Sequence, residues 1–165
     1  MTPVDPQCDR LYTAQLEAFK RTTLDSLLAE SECTGLVASL FTIARARKYW
    51  KSPYTPATQF VADIGMNYGK WSFDAFAGWF TEEYTGSYIQ FSPNGMRPWL
   101  VAHEAGHILL KAGRLAHHDL ANHGPEFAAV FIWGISALFG KKWSNRLKRA
   151  FAEAHIESIC SLQED

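Results

Sequence analysis

The chain has 165 residues, 47% of them hydrophobic and 20% charged, and its 16 Lys and Arg against 17 Asp and Glu leave a formal net charge of −1. That length and apolar content supply one packed core, which excludes intrinsic disorder and leaves no room for two comfortable domains. The balanced charge excludes a nucleic-acid binder acting through bulk charge, and the longest uncharged run, Phe127 to Gly140, is fourteen residues, short of the roughly 20 that an apolar helix needs to cross a bilayer.

One domain over 1–165 is expected, with tails at 1–8 and 158–165. The N-terminus has no basic start followed by an apolar block, so a cytoplasmic location is expected. Asp9 can cap a helix over about 9–29, in which Tyr12, Leu16, Phe19 and Leu27 recur at helical spacing and Leu24 and Leu28 widen the stripe. A second helix, about 35–49, carries Leu36, Val37, Leu40, Phe41 and Ile43, and the Pro53/Pro56 segment ends it. From Thr58 to Ser92 β-branched and aromatic residues broken by Gly predict three strands, TQFVADI, KWSFDAFAGWFTEEY and SYIQFS. Pro93, Asn94 and Gly95 make a turn, and Pro98 opens a helix running to about Lys111 and stopping at Gly113. Pro125 and Gly140 bracket an all-apolar, hence buried, helix, and a last amphipathic helix follows over about 142–157. Cys8, Cys33 and Cys160 are odd in number and form no CxxC pair, which indicates reduced thiols without a disulfide framework or zinc ribbon.

Five of the six histidines, His103, His107, His117, His118 and His123, fall within 21 residues, where an even spread would place about 0.8. Residues 101–110 read VAHEAGHILL, so His103, Glu104 and His107 form H-E-x-x-H on the predicted helix. Four residues are just over one turn, which puts both imidazoles on one face, close enough to share one Zn²⁺. Glu104, adjacent to the first ligand, is turned away from the metal but can take a proton from a water that the metal activates. With this composition the pattern arises by chance about 0.013 times. The alternative, two core histidines and a surface glutamate, is costly, because such groups are not buried in an apolar helix without partners.

A catalytic zinc needs a third protein ligand and an open position. Metzincin spacing is excluded, because Leu110 and Gly113 stand where that class has Gly and His. The remaining candidates are His117, His118, Asp119, His123 and Glu126. His123 directly precedes a helix start, where Gly124 permits a tight approach and Pro125 fixes the first turn. Glu126 suits the helix dipole and can orient a ligand histidine.

HEAGH followed by HGPEF, here His123-Gly124-Pro125-Glu126-Phe127, resembles the SprT-like (Spartan-like) zinc metallopeptidases. DRLYTAQLEAF and the strand-rich middle also look like a set of small HExxH metallohydrolases from actinobacteria and their phages, which for a phage protein would make the location the host cytoplasm. The paired motifs cover about 25 residues. The resemblance implies His123 as third zinc ligand beside His103 and His107, Glu104 as catalytic base, and a minimal zincin-like α+β domain. In such domains an edge strand beside the metal aligns an extended peptide, and SYIQFS is the expected edge. Peptide-bond hydrolysis with Zn²⁺ as cofactor is the function implied.

Two other readings compete. One is a zinc hydrolase of a non-peptide amide. The other is a DNA-associated or structural module whose zinc is only a staple. Its support is KKWSNRLKR, where Lys141, Lys142, Arg146, Lys148 and Arg149 give five positive charges with no acid and Trp143 offers a stacking face. Arg45, Arg47, Lys48 and Lys51 form a second basic group; solvated helix ends are the plain alternative for both.

Overall fold

The computed structural model describes residues 7–64, 67–68, 71–72, 74–79, 86–112 and 122–158. The first helix, α1 (Cys8–Phe19), turns Leu11, Ala14, Gln15, Ala18 and Phe19 inward at spacings of three and four. It begins before Asp9, which lies exposed in its first turn rather than at the cap, and the buried Gln7 stands at the N-cap. The expected single helix over 9–29 breaks after Phe19: Lys20 is extended, Arg21 is left-handed at φ 59°, and Thr22 Oγ1 donates to the Phe19 carbonyl at 2.6 Å. A short 3₁₀ turn, Thr23–Asp25, follows, and Leu27, 59% exposed, belongs to no apolar stripe.

The second helix, α2 (Glu30–Ala46), starts earlier than its apolar run because Glu32 accepts from the Ala29 N–H at 2.7 Å, a cap that apolar periodicity does not register. Cys33, Val37, Leu40, Phe41 and Ala44 form its buried side. Arg45 donates to the carbonyls of Ser52 and Pro53, so one member of that basic group is spent on holding the following loop.

The strands are β1 (Ala57–Phe60), a small hairpin of β2 (Asn67–Tyr68) with β3 (Trp71–Ser72), then β4 (Ala75–Trp79) and β5 (Ser87–Phe91). The sheet has the order β1-β5-β4. β5 runs parallel to β1, with Ala57 opposite Tyr88 and Phe60 opposite Phe91, and antiparallel to β4, with Ala75 opposite Phe91 and Trp79 opposite Ser87. The expected edge strand SYIQFS is therefore central. Pairing on both sides fits its two inward residues, Ile89 and Phe91, which are fully buried. β1 and β4 lie at the two edges instead among the described residues.

Gly95 lets the chain turn from β5 into the next helix: a Cβ there would come within 1.7 Å of the Asp74 carbonyl oxygen. Asp25 then anchors the helix start, accepting from Arg97 and from Trp99 Nε1 at 3.2 Å. That helix, α3 (Pro98–Ala112), packs on α4 (Pro125–Phe139), which is buried continuously from Phe127 to Ile135. α5 (Lys141–Glu153) closes the domain against α1 and α4 through Ser144, Leu147 and Phe151. It ends before His155, which is exposed in a left-handed turn at φ 52°. The architecture is α+β, five α-helices and a three-stranded mixed sheet among the described residues. Among the described residues no helix is long and apolar enough to cross a membrane.

Candidate metal centre

α3 carries His103, Glu104 and His107 in mid-helix, with His103 and Glu104 buried and His107 half-buried. His123 reaches them from the turn before α4, buried one residue ahead of the N-cap Gly124, with Pro125 as the first helical residue. The ligand atoms of the three histidines lie within 4.8 Å of one another, and the Nε2 atoms of His103 and His107 are 3.2 Å apart. Two nitrogens on a tetrahedral zinc stand about 3.3 Å apart, so this pair already has the spacing of ligands to one ion. Of the other ligand candidates, Glu126 sits half-buried in the first turn of α4, while His117, His118 and Asp119 lie outside the described residues.

Aromatic packing fixes the rings. Phe127 stacks on His107 at 4.3 Å between centroids and meets His103 and His123 edge-on at 4.9 and 5.1 Å. Phe131 adds a second edge contact to His103 at 5.3 Å. The glycine inside HEAGH makes this possible: a Cβ on Gly106 would stand 3.3 Å from Phe127 Cε2, tighter than ordinary contact.

The N-terminal helix supplies the outer polar shell. Gln15, 1% exposed, accepts from His103 Nδ1 at 2.8 Å. Nδ1 thereby carries the proton and Nε2 presents its lone pair to the centre. Tyr12 stacks on His103 and brings its hydroxyl to 3.4 Å from His123 Nε2. Gln7 donates to the His123 carbonyl at 2.8 Å while its Oε1 accepts from the Glu157 N–H at 3.1 Å, tying the third histidine to the C-terminal segment. Ligand spacing points to none of these three. The signal for Gln15 is its place on the inward face beside Leu11, Ala18 and Phe19, where a polar side chain must find a partner.

Burial acts on both kinds of titratable group in the same sense, toward the neutral form. It holds His103 and His107 well below the ordinary value of 6.5, His103 with help from His123, and His107 with help from His123, His103 and the buried Lys111 one turn further along α3. It pushes the Glu104 carboxyl up to about 8 against the opposing pull of a hydrogen bond from the Ala77 backbone N–H of β4. Three imidazoles with converging nitrogens, His103 and His107 held neutral and His103 tautomer-locked, form a donor set that suits a borderline-soft divalent cation such as Zn²⁺.

The basic side chains on α5, Lys141, Lys142, Arg146, Lys148 and Arg149, are exposed. Arg146 donates to the Ala18 carbonyl at the end of α1, and Lys142 lies 5.3 Å over the half-buried Trp143 ring. Comparison with family models, with curated proteins and with solved structures returns no match to this chain.

Proposed function

We propose that this chain is a zinc-dependent metallopeptidase, a minimal zincin-like enzyme of the SprT-like kind. One observation carries the reading: three imidazoles, two from α3 and one from the turn before α4, bring their ligand atoms within 4.8 Å of one another, and the helix that supplies two of them also carries the buried Glu104. His103, His107 and His123 would hold the ion. Zinc, when bound, supplies Lewis acidity toward the scissile carbonyl and toward water.

The remaining work falls to side chains of this chain. Glu104 takes the proton of the attacking water and passes it to the leaving amine. Its proton affinity suits both halves of that cycle, because burial raises the carboxyl to about 8, where it holds a proton well, and a dication bound by the three histidines would favour the carboxylate that takes the proton up. Gln15 and Phe127 hold the imidazoles during turnover. An extended peptide would align along β4, the edge strand whose Ala77 N–H already contacts Glu104, rather than along β5. Contact with DNA through the exposed cations of α5 would be an accessory to this activity. Lys141, Lys142, Lys148 and Arg149 are its candidates, because Arg146 already holds α1, and salt-sensitive binding of single-stranded DNA is its measurement.

Glu104→Gln tests the reading. The variant is expected to keep one zinc per chain and to lose about 10²- to 10⁴-fold in cleavage of a peptide library. Unchanged cleavage would overturn the general-base assignment, and cleavage of a non-peptide amide alone would overturn the substrate class.

A further inference from the structure

Two close contacts in the centre have similar lengths for different residue types. His103 Nε2 and His107 Nε2 are 3.2 Å apart, and the Tyr12 hydroxyl and His123 Nε2 are 3.4 Å apart. Each has about the length of one edge of a tetrahedron around a zinc-sized ion, about 3.3 Å, and the two share no atom, as opposite edges of one tetrahedron must. The phenol is brought there by helical spacing: Tyr12 stands three residues before Gln15 on α1, so a single helix face delivers both groups. Its ring stacks on His103 at 24° and 5.8 Å and tilts against His123 at 5.1 Å, which holds the hydroxyl against the imidazole cluster. The ring is half-buried, which shields the hydroxyl from bulk water in part while leaving one side of Tyr12 toward solvent.

From this we infer that Tyr12 is a fourth protein ligand, so that in the resting protein the ion is held by three imidazoles and one phenolate oxygen. This rests on the zinc reading above. The phenol proton passes to solvent when the oxygen coordinates, and hydrolysis requires the oxygen to give way to water. α1 therefore acts as more than a packing element: it closes the coordination set from the N-terminal side.

Copper(II) is the probe, because phenolate bound to Cu²⁺ gives a visible charge-transfer band that imidazole and carboxylate do not. The full-length protein is loaded with one Cu²⁺ per chain, alongside Tyr12→Phe, which keeps the stacked ring. The wild type is expected to show the band; Tyr12→Phe is expected to bind one Cu²⁺ without it and to bind Zn²⁺ about tenfold or more weakly. Stoichiometric copper in the wild type with no such band would overturn the phenolate ligand and leave the three-histidine site standing. Failure of the wild type to bind copper or zinc would remove both readings. A band that persists under a saturating hydroxamate would support the ligand while overturning hydrolysis, because the phenolate would then be a permanent closure of the site.

Discussion

On one side of the centre, three imidazoles are held by groups from two helices, α4 and α1 with its N-cap: Phe127 and Phe131 pack their faces and edges, Gln15 fixes the proton on His103, and Gln7 holds the backbone of His123. On the other side, Glu104 meets the edge of the sheet, where the Ala77 N–H opposes its protonation. Burial drives groups on both sides to neutrality, His103 and His107 by losing protons and the Glu104 carboxyl by keeping one. The difference teaches how such a pocket divides its tasks. Metal ligands need fixed geometry and lone pairs, so they are over-determined. A group that must gain and lose a proton needs an affinity near working pH, and burial beside a single backbone donor supplies that.

The sharpest way to break this comparison is to remove the aromatic wedge. Phe127→Ala is expected to cost about 3–5 kcal/mol in denaturant unfolding and to lower zinc affinity as well. Normal zinc affinity in a folded but destabilised variant would show that the rings need no such support.

Removing the tautomer lock is the next test. Gln15→Ala is expected to weaken zinc binding by about 10–100-fold, measured by competition with a chelator, with a smaller change in stability. Equal affinity would mean that His103 finds its orientation without α1.

The carboxyl side is probed by pH in the metal-free protein. His103 and His107 have folded values below 6.5, so their contribution is present above that pH and is lost as pH falls. Glu104, raised from 4.5 to about 8, acts in the opposite sense: its contribution is full below 4.5 and is lost as pH rises toward 8. These groups together place the stability maximum near pH 6.5, with a decline of about 2 kcal/mol by pH 8 that Glu104→Gln abolishes. A flat profile in the parent above pH 6.5 would show that Glu104 is already ionised without metal.

The smallest effect expected is that of Gln7→Ala, about 1–2 kcal/mol from the unpaired His123 carbonyl, read by thermal unfolding. It should also loosen His123, and an unchanged zinc affinity would localise Gln7 to C-terminal packing alone.

Much of this protein is readable residue by residue. Pro125 and Gly140 bracket α4 because a fixed φ at the first turn and a break after the last are local properties of those residues. The i, i+4 spacing of His103 and His107 puts two nitrogens at ligand distance by helical geometry alone. Composition and period likewise sufficed for an α+β domain with a strand-rich middle. The α1 boundary was less legible, since its apolar stripe ran on past Phe19 into Leu24, Leu27 and Leu28, while the local turn at Lys20 and Arg21 ended the helix.

Other features depend on which distant segments meet. The order β1-β5-β4 makes SYIQFS central and AFAGW outer, because strand pairing is a choice among partners that alternation within one strand cannot express. Gln7, Tyr12 and Gln15 lie 88 to 116 residues from the histidines they touch, and nothing in their spacing names a partner. Sequence determined the chemistry that is available, a pair of helix-borne imidazoles, a carboxyl and a third histidine at a rigid helix start. Tertiary packing decided how that chemistry is tuned, because desolvation and hydrogen bonding from α1 and β4 act only once those elements close over the centre.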